Sequence, residues 1–177
     1  MYYVALLRGI NVGGNAKVEM SRLRKAFEDL GYEKVSSYIN SGNVLFETNE
    51  KDEKKLIFQI EKVIKKNFGF EVKTLVRDSE NILKLANAIP SEWENNIDQK
   101  TDVLFLWEDF DNKKSLSLIQ AVEGVDSLLY FPGVIVWNVD RAQYNKSGMR
   151  KFMGSLLYKN MTARNVNTVR KLAEMMK

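Results

Sequence analysis

The apolar positions of the chain alternate between short continuous runs and helical stripes, and the alternation occurs twice. Tyr2 to Arg8 is a mostly apolar run that stops at Gly9, which predicts a strand buried on both faces. A polar, glycine-rich loop follows from Gly9 to Lys17. Met20, Leu23, Ala26, Phe27 and Leu30 then recur at helical spacing, with Gly31 where helices end. Val35 to Ile39 and Val44 to Phe46 read as strands joined through Asn40-Ser41-Gly42-Asn43, residues that favour tight turns. Leu56, Ile57, Ile60, Val63, Ile64 and Phe68 mark a second helix closed by Gly69, and Val72 to Val76 a further strand.

A connecting helix over Ser79 to Ala88 must stop before Pro90, and the polar stretch Ser91 to Lys100 reads as a linker. The series then restarts. Val103 to Trp107 is a continuous apolar strand, and Leu116, Ile119, Gln120 and Val122 predict a helix ended by Gly124. Leu128 to Phe131 and Val134 to Val139 are strands across the Pro132-Gly133 turn. Met149 to Leu157 is predicted helical, Met161 to Arg164 a short strand, and Thr168 to Met176 a terminal helix. The order β-α-β-β-α-β, given twice, predicts an α+β protein of two ferredoxin-like (α/β plait) subdomains from an internal duplication, plus a C-terminal helix. The expected boundaries are 1–77 for the first plait, 78–101 for the connecting helix and linker, and 102–177 for the second plait. A plait covers one sheet face with its own helices. The second apolar face of each central strand therefore needs another cover, for which the other half is the nearest candidate.

Composition narrows the chemistry. The chain has 177 residues, 45% of them hydrophobic, and neither cysteine nor histidine. Disulfides, thiolate zinc sites and every Ser–His, Cys–His or His–metal arrangement are excluded. No metal site and no cofactor is expected. No apolar run approaches the roughly 20 residues that span a bilayer, and the first residues lack a signal-peptide pattern, so no membrane partner and a cytoplasmic location are expected. Net charge is +4, but from Arg141 to Lys177 nine basic residues face one acid, whereas residues 1–140 carry a net −4. That asymmetry makes the C-terminal stretch a candidate nucleic-acid contact or an internal match for the acidic part.

Two polar clusters are candidates for a site. In a plait, the loop after the first strand and the hairpin between the second and third lie at the same end of the sheet. Arg8, Gly9, Asn11, Gly13, Gly14 and Asn15 should therefore meet Asn40, Ser41, Gly42 and Asn43, which joins a guanidinium to carboxamides and backbone N–H groups suited to an anion. Glycine and asparagine are equally what tight loops use. The loop has the glycine spacing of a P-loop, but Asn15-Ala16 stands where Lys and Ser or Thr are required, and the spacing also fails the dinucleotide pattern. The second cluster runs from Thr162 to Leu172. Thr168 or Asn167 suits a helix N-cap, while Arg164 beside that helix start suits an anion. The third strand, Ser41 to Glu47, lacks the aromatic pattern of an RNA-recognition motif. The mixed charges of Lys51 to Lys66 read as a solvated helix face.

The segments Ala5-Leu6-Leu7-Arg8-Gly9-Ile10-Asn11-Val12-Gly13-Gly14, Tyr38-Ile39-Asn40-Ser41-Gly42-Asn43-Val44 and Thr162-Ala163-Arg164-Asn165-Val166-Asn167-Thr168-Val169 resemble, in matching order, the bacterial family of domain of unknown function 1697. The resemblance implies the same duplicated plait and no established activity. Arg8, Asn11, Gly13, Ser41, Asn43, Arg164 and Asn165 are the expected ligand-binding residues. The leading expectation is a binding protein for a small anionic ligand, a nucleotide or phosphorylated metabolite. The alternatives are nucleic-acid association through the basic C-terminal stretch, an enzyme working without His or Cys, and polar motifs that lock the two halves together.

Overall fold

The computed structural model describes residues 1–13 and 16–177. The chain forms two compact units, residues 1–83 with 172–177, and residues 84–171.

The first unit comprises β1 (Tyr2–Leu7), α1 (Met20–Glu28), β2 (Glu33–Tyr38), β3 (Asn43–Glu47), α2 (Glu53–Phe68) and β4 (Thr74–Asp78), followed by the start of α3 (Ser79–Ala88). Its antiparallel sheet has the order β2-β3-β1-β4. The period-two geometry of β1 sorts its residues. Tyr3, Ala5 and Leu7 join a core with Leu23 and Phe27 of α1, Phe46 of β3, and Leu56, Ile60 and Ile64 of α2. Val4 and Leu6 on the opposite face are equally buried, as expected from a strand without polar alternation. Helix α2 is well terminated. Asp52 accepts hydrogen bonds from the Lys54 and Lys55 amides at its start, and Gly69 ends it in the left-handed conformation.

The second unit comprises β5 (Gln99–Leu106), β6 (Asp126–Phe131), β7 (Val134–Asp140), α4 (Met149–Phe152), α5 (Leu156–Lys159), β8 (Met161–Asn165) and the start of α6 (Val166–Met175), in the sheet order β6-β7-β5-β8. Leu104, Leu106, Ile135 and Trp137 pack with Phe152, Leu157 and Met161. The two sheets therefore repeat one strand order, each with helices, as a duplicated plait requires.

The second unit departs from the expected helices. Residues 116–122 do not form an α-helix; 3-10 turns occupy Glu108–Phe110 and Lys113–Leu118 instead. Of Leu116, Ile119 and Val122 only Leu116 lies in a 3-10 turn; the chain leaves that turn at Ile119 in an extended conformation (φ −94°, ψ 123°), so no continuous helix carries the three. The predicted helix over 149–157 is broken into α4 and α5, with Gly154 at φ 93° between them. Strand β5 begins at Gln99, so it takes in the last residues of the expected linker.

Candidate functional site

At the loop end of the first unit, β1 is held on both sides. The Leu7 amide donates to the Gly42 carbonyl at 2.8 Å and the Arg8 amide to the Lys73 carbonyl at 2.9 Å. The expected meeting of the first loop with the hairpin is therefore present. Gly14 and Asn15, which were expected in the same cluster, lie outside the described residues. Gly42 has φ +79°, and a Cβ there would lie 2.8 Å from Leu7 Cβ and 3.0 Å from Ile10 Cγ1. The hairpin thus needs glycine for its conformation and for its approach to β1.

The carboxamides of this cluster hold the loops together. Asn11, itself at φ 55°, accepts from the Val18 amide at 2.8 Å and donates to the Val18 and Asn40 carbonyls, both at 3.0 Å. Asn43 is fully buried and donates to the Tyr38 carbonyl and to Ser41 Oγ, both at 3.1 Å. Such side-chain bonds to loop backbone satisfy groups that regular structure leaves unpaired. Arg8 is half-buried at the strand end, and Gly13 is exposed with φ 63°.

Beside this cluster runs an open groove of about 720 Å³, lined by Asn11, Lys17, Val18, Glu19, Met20, Arg22, Asn40 and Phe68. The Arg22 guanidinium carbon lies 5.0 Å from the centre of the Phe68 ring, and Arg22 also donates to the Asn67 carbonyl. Lys17 and Arg22 are exposed. Sequence reading passed over both, because nothing in the pattern separates them from other surface cations.

Arg164 and Asn165 belong to the second unit. Arg164 pairs with Val103 in the β5–β8 register and is 7% exposed. Its guanidinium donates to Thr162 Oγ1 at 3.0 Å and to the Ala163 carbonyl at 2.8 Å, and burial pushes its pKa down to about 10. Asn165 accepts from the Thr168 amide at 2.9 Å, so Asn165 provides the cap that was expected of Asn167 or Thr168.

The first unit carries the same device. Arg77 pairs with Val4 in the β1–β4 register and donates to the Val76 carbonyl at 2.8 Å, while Asp78 accepts from the Asn81 amide at 2.7 Å. Arg77-Asp78 and Arg164-Asn165 are thus two copies of one strand-to-helix junction. Sequence reading missed the first copy. The shared pattern of Arg, then Asp or Asn, then a helix start was the available signal.

Other basic residues of the C-terminal stretch are also engaged within their unit. Arg141 donates to the Asn96 carbonyl at 2.6 Å and Arg170 to the Pro90 carbonyl at 2.9 Å.

Among the described residues, no group of three or more acidic side chains is placed to hold a metal. Glu53 and Glu61 have raised pKa values through burial, but each faces a structural partner. Arg77 lies 3.8 Å from Glu53, and the Thr74 amide donates to Glu61 at 2.8 Å. No helix among the described residues is long and apolar enough to cross a membrane.

Fold and loop cluster together define a duplicated α/β plait with a polar loop end on its first unit. The chain belongs to the family described as proteins of unknown function (DUF1697), whose family model matches residues 1–137. That match takes in the first two motifs and stops before the third. Among solved structures, the chain is similar to the conserved bacterial protein SP0830 from Streptococcus pneumoniae. The two are 30% identical with a TM-score of 0.85, over 99% of this chain and 98% of that one. No curated protein matches the chain.

Proposed function

We propose that the chain is a binding protein for a small anionic ligand, a nucleotide or phosphorylated metabolite, at the loop end of its first unit. The observation that carries this reading is the groove beside the Asn11 loop, whose lining joins two cations, Lys17 and Arg22, and one carboxylate, Glu19, to the apolar side chains of Val18, Met20 and Phe68. Its volume of about 720 Å³ lies within the range of small-molecule sites. The apolar side chains suit the flat part of a nucleotide, and the two cations suit its phosphates. Arg8 adds a third positive charge where β1 enters the loop. Asn11, Ser41 and Asn43 support the site by holding the loop and hairpin in place.

The test is calorimetric titration of the full chain with nucleotides and sugar phosphates. Wild type should bind at least one of them, and Lys17→Met with Arg22→Met should weaken binding by about 10²-fold or more, since charge-assisted contacts contribute ~1.5–3 kcal/mol each. Both side chains are exposed, so the double variant should melt close to wild type. Absence of wild-type binding to every phosphorylated compound, or unchanged binding by the double variant, refutes the reading.

A further inference from the structure

Helix α2 carries acids and lysines in a mixed order along the sequence, yet the fold sorts them onto different sides. Asp52 caps the helix, accepting from the Lys54 amide at 2.9 Å and the Lys55 amide at 3.2 Å. Glu53 lies beside Arg77, and Glu61 accepts from the Thr74 amide. All three acids of the helix start and body thus face structural partners. The opposite side presents Lys55, Phe58, Lys62 and Lys66 to solvent.

Phe58 is 66% exposed in the middle of this face. Beside it, between the end of α1 and the body of α2, lies a groove of about 650 Å³ with Leu30, Phe58 and Val63 as its apolar lining and Lys55, Lys62 and Lys66 as its cations. Of the charges around it, Asp29 pairs with Lys25 at 2.7 Å, and Lys55 pairs with Glu50. Lys62 and Lys66 form no ion pair among the described residues. They follow Phe58 at successive four-residue steps, so one aromatic and two uncompensated cations stand in a row along a single helix ridge.

We infer that this ridge and groove dock an acidic amphipathic helix of a partner protein. The charge complement is a row of carboxylates, and an apolar side chain between them would enter the groove against Leu30, Phe58 and Val63. A helix laid alongside α2 repeats its side chains at the same interval of about 6 Å per four residues, which matches Lys62 to Lys66. Single-stranded nucleic acid fits less well. Phe58 is the one ring in the groove lining and the rest of the apolar lining is aliphatic, so successive bases would find no second ring on which to stack. This inference is independent of the small-ligand groove, which lies at the loop end and shares no lining residue with it.

The experiment is fluorescence anisotropy of the full chain with three labelled probes. They are an acidic peptide with leucines at helical spacing, a scrambled peptide of identical composition, and an oligothymidylate of similar charge. The amphipathic peptide should bind best. Phe58→Ser should weaken it about tenfold or more through lost apolar contact, and Lys62→Glu with Lys66→Glu should abolish it. The substituted side chains are exposed, so unchanged melting of each variant confirms that the fold is intact. Equal binding of the scrambled peptide reduces the face to unspecific charge and overturns the proposal. Tighter binding of the oligothymidylate overturns it in favour of nucleic acid, and so does failure of the amphipathic peptide to bind at all.

Discussion

Asp126, at the start of β6, ties four parts of the second unit together, and its removal has a calculable effect. One carboxylate oxygen accepts from the Trp137 indole N–H at 2.9 Å and from the Ser147 hydroxyl. The other accepts from the Val122 amide at 2.8 Å and the Gly148 amide at 2.9 Å. In Asp126→Asn the new NH₂ group has to face one of these pairs. The cheaper orientation turns it toward Ser147, whose hydroxyl can accept instead of donate, and leaves the buried Trp137 N–H without a partner. An unsatisfied buried donor costs about 1–3 kcal/mol, and the two remaining amide bonds lose their charge assistance, so a total of about 2–4 kcal/mol is expected. For a chain of this size that lowers Tm by roughly 5–15 °C. Partial burial pushes the Asp126 pKa up, but the hydrogen bonds from Ser147, Val122, Gly148 and Trp137 outweigh it and hold the group below its ordinary value. The native state therefore binds its proton less readily than the unfolded chain. The stabilisation is present above the unfolded carboxylate value of about 3.9 and disappears as pH falls through the lower folded value. Urea unfolding followed by Trp fluorescence, at neutral pH and at several acidic values, measures both effects. The gap between wild type and variant should narrow on acidification. A variant within about 0.5 kcal/mol of wild type at neutral pH, or a gap independent of pH, would refute the reasoning.

Three further substitutions test the fold. Gly42→Ala places a Cβ 2.8 Å from Leu7 Cβ at φ +79°, so it should destabilise by about 2–4 kcal/mol in chemical denaturation. Gly148→Ala has no φ penalty, but its Cβ would stand 2.0 Å from the Gln120 carbonyl oxygen, and about 3 kcal/mol or more should be lost as that backbone moves. Because the Gly148 amide donates to Asp126, its effect should be non-additive with Asp126→Asn in a double-mutant cycle. Asn11→Ala removes three bonds between the first loop and its neighbours and should cost about 1–3 kcal/mol, with faster amide hydrogen exchange at Val18 as the local readout.

The sheets were legible because their central strands are unusual. β1 and β5 read as continuous apolar runs, and each proves to be an interior strand of its sheet with both faces buried. Such a run leaves few alternatives in an antiparallel sheet. The helices of the second unit were less legible. Leu116, Ile119 and Val122 satisfy a helical template and a three-residue period equally well over so short a stretch, and the window contains too few apolar residues to choose. Between Met149 and Leu157 the apolar spacing is helical, yet Gly154 at φ 93° interrupts it. A single internal glycine permits either outcome from sequence alone.

At the loop end of the first unit, the meeting of loop and hairpin was legible in the sequence, but the hydrogen-bond partners of their side chains were not. Topology places the first loop against the hairpin, and the Asn11–Asn40 bond confirms that proximity. Reading Asn11 and Asn43 as ligand donors assumes that polar side chains at a loop end are available, and their hydrogen bonds to Val18, Asn40, Tyr38 and Ser41 show them holding the loop end together. Arg164 illustrates the same point in the second unit. Read alone, it is a cation beside a helix start. Read with Arg77, which makes the same bond to the preceding residue's carbonyl at the same register position, it is one half of a duplicated junction. A duplicated chain thus contains an internal control. A polar residue present at both equivalent positions, with the same backbone partner, is explained by the fold they share. One present in a single copy calls for a separate reason. By that criterion the loop from Arg8 to Lys17 is the place to search for function, since its glycine and asparagine series has no counterpart after β5, where Trp107-Glu108-Asp109-Phe110 follows instead.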